Sequence, residues 1–192
     1  MPVAINGSGT ITGVSVGGLP DGIVDTDMLA TDAVTAAKLG AGTILQVVQT
    51  DKTNSFTTTS TSFVDVTGLS VAITPSSTSS KILVLGMIAA SGANSSNMQG
   101  KVLRGSTDLI VGDAAGSRTR ANFSHNTYSQ ETNITPMCFV YLDSPSSTSE
   151  LTYKVQVRTS ANSASINQTE YDSNNTAYTR CASTITAIEV SA

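Results

Sequence analysis

From Ile44 onward the apolar residues fall into short runs separated by turn-forming clusters, the pattern of an all-β sandwich or barrel. The runs are of two kinds. In the first, nearly every residue is apolar: Ile44, Leu45, Val47 and Val48; Ile82, Leu83, Val84, Leu85, Met87 and Ile88; Met137 to Leu142 (MCFVYL); and, in mixed form, the terminal TITAIEV. Such strands expect cover on both faces. In the second kind apolar and polar residues alternate. Leu151, Tyr153, Val155 and Val157 interleave with Thr152, Lys154, Gln156 and Arg158, and Leu69, Val71 and Ile73 repeat the pattern more loosely. These strands expect core on one side and water on the other.

A solitary two-sheet sandwich needs mostly the alternating kind, because each sheet keeps an outer face in solvent. The doubly apolar strands therefore imply that something covers one sheet. With one domain's worth of chain, the simplest cover is another copy in a symmetric oligomer. Those strands come first, third or fourth, antepenultimate and last, and in a jelly roll the first, the last and two middle strands share one sheet. The expected fold is an all-β jelly-roll β-sandwich over residues 44–192. Ile82, Val84, Met137, Phe139, Tyr141 and Ile188 are the candidate residues for contact between copies.

The connectors TPSSTSS (74–80), SGANSSN (91–97) and DSPSSTSE (143–150) are polar turns, whereas the excursions over 112–133 and 160–178 exceed what a hairpin needs. Long loops on a rigid sandwich are where recognition normally sits. Arg118, Arg120, His125, Tyr128, Tyr171 and Tyr178 are the candidate recognition residues there, Tyr and Arg giving large contacts at low entropic cost.

Residues 1–43 form a separate segment, an N-terminal arm followed by a short helical or turn repeat. Asp21, Asp25, Asp27 and Asp32 stand there against Lys38 alone. GIVDTDMLA and DAVTAAKLG align as a degenerate ten-residue repeat in which Val24 and Leu29 match Val34 and Leu39, and two copies cannot enclose a core by themselves. Asp32 is placed to cap a short helix over 33–39 with Gly40 as its stop, and Thr26 or Asp25 to cap a turn around 28–30. Upstream, Ile11, Val14 and Val16 alternate among Gly and Ser, which suits an extended arm laid on another surface, with a disordered leader as the alternative.

Composition narrows the function. At 192 residues the chain fits one ordinary domain plus an appendage. Charged residues make up 12%, while Ser and Thr reach about 29%, a balance that favours strands and turns over charge-driven disorder. A net charge of −4 and a pI near 4.7 leave no basic footprint for nucleic acid. The longest apolar run, 82–90, is too short to span a bilayer, and the first residues lack a signal-peptide pattern, so neither membrane insertion nor cleaved secretion is expected. Cys138 and Cys181 are expected to be small buried hydrophobes, a disulfide being the other option.

Catalytic chemistry finds no foothold in the sequence. His125 is the sole histidine, no nucleophile elbow, phosphate-cradling loop, zincin or C-x-x-C motif occurs, and His125 is expected in a solvent-exposed loop. A glycosidase wants two carboxyls on a rigid cleft with aromatic platforms; here Trp is absent and the acids are scattered. The Asp21 to Asp32 cluster lacks the glycine and terminal glutamate of a calcium loop. No enzyme activity, metal or cofactor is expected.

The stretch GTITGVSVGGLPDGIVDTDMLATDAVTAAKLGAGTILQVVQT, with SFTTTSTSFVDVTGLSVAITPSSTSSKILVLG and KVLRGSTDLIVGD further on, resembles the fibre or minor structural proteins of marine and freshwater tailed bacteriophages. The distal part also looks like the trimeric jelly rolls of the C1q and tumour-necrosis-factor type, by analogy of fold. The resemblance implies a virion protein, made in the host cytoplasm, that forms a homotrimer. Its arm, through Ile11, Val14 and Val16, would meet capsid or tail proteins. The alternative it implies is a fibre tip binding a host cell-surface glycan or protein.

Overall fold

The computed structural model describes residues 4–5, 11–12, 29–31, 33–34, 38–127 and 132–192. The chain divides into two compact units, Met1–Leu39 and Gly40–Ala192. In the first, β1 (Ala4–Ile5) pairs antiparallel with β2 (Ile11–Thr12). The Ala33 amide donates to the Ala30 carbonyl, Lys38 Nζ donates to the Ala33 carbonyl at 2.7 Å, and Leu29, Val34 and Leu39 are exposed. Val14, Val16, Val24, Asp32 and residues 35–37 of the expected 33–39 helix lie outside the described residues.

The second unit contains β3 (Ile44–Lys52), β4 (Phe56–Thr58), β5 (Val64–Ile73), β6 (Lys81–Gly92), β7 (Ser96–Arg104), β8 (Thr107–Asp108), β9 (Phe123–Thr127), β10 (Thr135–Asp143), β11 (Leu151–Thr159), β12 (Ala164–Ile166) and β13 (Ser183–Val190). One sheet runs β10, β6, β13, β3, with β12 and β4 continuing the lines of β13 and β3. The other runs β5, β11, β7, with β9 and β8 sharing the far edge of β7. All the pairings are antiparallel, and first, last and two middle principal strands share a sheet, so the fold is a jelly-roll-like β-sandwich.

Strand pleating selects what the sandwich encloses. Val71, Ile73, Met98, Val102, Tyr153, Val155 and Val157 from one sheet meet Ile82, Val84, Ile88, Phe139, Ile185 and Ala187 from the other. The looser alternation of β5 has a local cause: Val66 and Leu69 are both buried although three apart, because residues 66–69 all stand opposite Val155 in an irregular bulge that turns at Gly68, φ +80°. Each sheet also carries a phenylalanine over a glycine. Phe139 is registered opposite Gly86, and Phe123 opposite Gly100, and a Cβ on Gly100 would lie 2.0 Å from the Phe123 ring.

This geometry corrects the assignment of the contact residues. Ile82, Val84 and Phe139 are enclosed within a single protomer, Met137 packs against the same core, and Tyr141 shares their face as the register partner of Val84. They build the protomer's own interior. Of the six, Ile188 alone points the other way, beside Leu83. The cysteine expectation is corrected too: both are free thiols, Cys138 exposed and Cys181 half-buried.

Polar clasps close the ends. Glu189 is fully buried, and its carboxylate accepts hydrogen bonds from Gln46 Nε2 at 2.6 Å and from the Ser76 amide and hydroxyl at 2.7 Å each. Burial disfavours the ionised form, yet donors from Gln46, Ser80 and Ser76 outweigh it and hold this carboxyl below its ordinary range. The 74–80 turn is thereby tied to β13. Elsewhere, Asp143 of β10 accepts from Arg104 Nη1 at 2.6 Å and from the Tyr153 hydroxyl at 2.7 Å, linking the two sheets. Burial, then the neighbouring Asp143, pushes the Tyr153 hydroxyl pKa well up.

Gly100→Ala should destabilise the sandwich by roughly 1–3 kcal/mol in denaturant titration, because the Phe123 ring must move. Gly40→Ala, with nothing within 4 Å, should stay within about 0.5 kcal/mol of the parent. Glu189→Gln should cost about 1–3 kcal/mol at neutral pH, since an amide cannot accept from all these donors. A depressed carboxyl stabilises the fold above the unfolded value of about 4.3 and stops doing so as pH falls through its folded value. The gap between Glu189→Gln and the parent should therefore narrow in acid, in titrations repeated at descending pH.

Candidate functional site

Every strand of the β10, β6, β13, β3 sheet has a second face, and across β10, β6 and one end of β13 and β3 that face is apolar as well. Register places it in rows across the strands: Leu142, Leu83, Ile188 and Val47; then Val140, Leu85, Thr186 and Gln49; then Cys138, Met87, Thr184 and Asp51. Val190 and Ile44 extend it at one end. Val140 is 66% exposed, Ile44 59%, Val47 58% and Leu142 50%, while Leu83, Leu85, Met87 and Ile188 are half-buried. At the other end Met87 and Ala89 run on into an apolar hollow of about 340 Å³, shared with Thr132, Ile134, Pro136, Thr179 and Cys181.

The opposite sheet supplies an internal contrast. Its outer face carries Lys154 and Gln156, which donate to Asp65 at 2.9 and 2.7 Å, and Arg158, which donates to Gln99 at 2.9 Å. Lys101 pairs with Asp108 and lies 4.6 Å from the centre of the Phe63 ring. One molecule thus has one outer face dressed for water and one that is not. Contiguous exposed apolar patches beyond a few hundred Å² mark interaction sites. Four strands about 4.8 Å apart and about eight residues long at about 3.3 Å each cover on the order of 500 Å² in plan. Thr184, Thr186, Gln49 and Asp51 fill one corner of that area, and the apolar remainder is on the order of a few hundred Å².

The loop candidates separate. The 109–122 loop leaves β8, paired beside Arg104, and returns at Phe123 beside Gly100, and between Arg118 and Arg120 the Thr119 hydroxyl accepts from Arg158 Nη1 at 2.6 Å, next to Gln99 of β7. Both are exposed, and Arg120 Nε donates to the Gly112 carbonyl at 2.6 Å. The 167–182 segment instead joins β12, paired at Ala90–Gly92, to the start of β13, and so belongs to the other sheet. Tyr171 and Tyr178 approach there, ring centres 6.4 Å apart. Tyr128 lies outside the described residues.

His125 is not in an exposed loop. It sits on β9 opposite Met98, half-buried, and burial lowers its pKa; its Nε2 has no hydrogen-bond partner among the described residues. Lys52 is buried, its amine donates to Asn54 Oδ1 at 2.7 Å, and burial lowers its pKa; it is sealed from any substrate. Among the described residues no group of three His, Cys, Asp or Glu is placed to hold a metal ion.

The sequence runs disclosed that one sheet is apolar on both sides, but not that Leu83, Leu85, Val140, Leu142 and Val47 are the outward members. The polar lining of the 168–180 loop, Asp172, Ser173, Asn174, Asn175 and Arg180, was also missed, because nothing in its spacing announces a closed loop.

No family model and no curated protein matches the chain. Among solved structures, it is similar to that of the infectious bursal disease virus Gx strain at 14% identity, TM-score 0.39, over 77% of this chain and 37% of that one. It is also similar to a mutant VP2 protein of the same virus from T=1 particles (17%, TM-score 0.40, 77% and 36%) and to a VP2 subviral particle (14%, TM-score 0.36, 77% and 38%). The chain spans little more than a third of the length of these viral proteins, and at such scores the likeness bears neither the fold nor the function.

Proposed function

We propose that the chain is a structural component of a virus particle, a fibre or capsid decoration whose knob is a homotrimer and whose residues 1–43 form the anchoring arm. The outer apolar face of the β10, β6, β13, β3 sheet carries this reading, because a monomer would leave Val47, Val140 and Leu142 in water beside Leu83 and Leu85. A threefold arrangement follows from the resemblance to trimeric jelly rolls, and the virion role from the resemblance of the leader to phage fibre proteins. In this arrangement each copy offers its apolar face to its neighbours, and the arm, through Ile11, Val14 and Val16, meets a capsid or tail protein.

Multi-angle light scattering at micromolar concentration should give a mass near three times the 19.7 kDa of one chain. Val140→Asp with Leu142→Asp should reduce it to a single chain mass while circular dichroism stays unchanged, since both side chains lie outside the protomer's core. A monomeric parent would sink the reading, and a dimer would keep the face but remove the threefold axis. Deletion of residues 1–39 should leave the oligomer intact and exclude the knob from purified particles.

A further inference from the structure

The segment between β12 and β13 is a closed loop on a buried footing. Asn167, fully buried and at φ +65°, donates from Nδ2 to the carbonyls of Lys52 at 2.7 Å and Asn54 at 3.1 Å, and its Oδ1 accepts from Ser183 Oγ. The neck is shut above it: the Cys181 amide donates to the Asn167 carbonyl at 3.0 Å, and Gln168 bridges Arg180. Inside the loop the Tyr178 amide donates to the Asn175 carbonyl at 3.0 Å, the Ala177 amide to Asn175 Oδ1 at 2.9 Å, and the Thr169 hydroxyl to the Tyr171 carbonyl at 2.8 Å. This conformation is built in advance of any ligand, which lowers the ordering cost of binding.

The loop borders an open hollow of about 310 Å³ lined by the exposed Asp172, Ser173, Asn174, Asn175, Thr179 and Arg180 and the half-buried Tyr178. That volume is at the lower end for small-ligand clefts, which run from about 300 to 1,000 Å³. Its chemistry is specific in two respects. Arg180 grips Asp172 through both guanidinium arms, so the wall holds planar polar groups in fixed positions and no net charge. Among the described residues Ser173, Asn174 and Thr179 spend no side-chain hydrogen bond on the protein, so a hydroxyl, an amide and a second hydroxyl are left to a ligand. Tyr178 adds a half-buried ring with an apolar face and a polar tip.

From this we infer that the 168–180 loop is a binding site for one or two rings of a neutral sugar. A ring of hydroxyls answers to Ser173, Asn174 and Thr179, its C–H face answers to Tyr178, and the cancelled charge of Arg180 and Asp172 favours a neutral sugar over an acidic one. The site belongs to one protomer's loop and goes beyond the structural role, standing or falling independently of the trimer. It also moves recognition away from Arg118 and Arg120, whose loop joins two strands of the opposite sheet.

The test is saturation-transfer NMR on the full chain with glucose, galactose, mannose, N-acetylglucosamine and glucuronic acid as separate probes. Expected is transfer to at least one neutral sugar, weakened about tenfold or more by Asn174→Ala and by Tyr178→Ala. Asn174 is exposed, so its variant should fold as the parent does, and Arg118→Ala with Arg120→Ala should leave the signal unchanged. No transfer from any neutral probe at millimolar concentration, transfer from glucuronic acid alone, or full retention by Asn174→Ala would each overturn the site. Light scattering on the same samples reads the oligomer separately, so failure of the trimer is not mistaken for failure of the site.

Discussion

A β-strand sends successive side chains to opposite faces, and a sheet made of strands that are apolar at every position must therefore be apolar twice. The sandwich uses one of those faces for itself, closing Ile82, Val84, Phe139 and Ile185 over the other sheet. It has no use for the second, which leaves Val47, Val140 and Leu142 exposed on the outside of the protomer. The opposite sheet shows the alternative solution in the same chain: its strands alternate, and its outside is laced with Lys154, Asp65, Gln156 and Arg158. Both solutions fold equally well, and they differ in what the finished surface will tolerate touching.

Which face turns outward depends on register, because a slip of one residue would exchange the two sets. In doubly apolar strands hydrophobicity alone cannot forbid that slip. Shape and polarity do. Gly86 has to sit under the Phe139 ring, Glu189 has to reach the donors of the 74–80 turn, and Asp143 has to meet Arg104 and Tyr153. Each of these lands on the inner side or at the rim of the core, and together they give an otherwise indifferent sheet a definite inside.

How much of the fold was legible in the sequence has the same physical cause. The strands, their sharing of sheets and the presence of a doubly apolar layer follow from where the apolar runs fall, and those runs sit in β3, β6, β10 and β13. The phase of the runs was not legible, since Met137 to Leu142 reads the same whichever of Phe139 and Val140 points inward; only the pairing of Phe139 with Gly86 decides. His125 was misplaced because Ser124, Asn126 and Thr127 give β9 no alternation, and that strand exists through backbone pairing along β7. The long loop after β12 was visible by its length. The clasp of Asp172 with Arg180 was not, because it depends on the bridge at the neck.

That neck has an evolutionary corollary. Asn167 and Ser183 are bonded into the sandwich beneath the loop, Gln168 accepts from Ser91, Thr169 is buried and Glu170 accepts from Ser163, so the chain is tied to the fold as far as residue 170 and again from 181. Whatever lies between can be rewritten like an interchangeable head on a fixed handle. Sequence drift among descendants of this chain should concentrate there, while the residues holding the handle stay put.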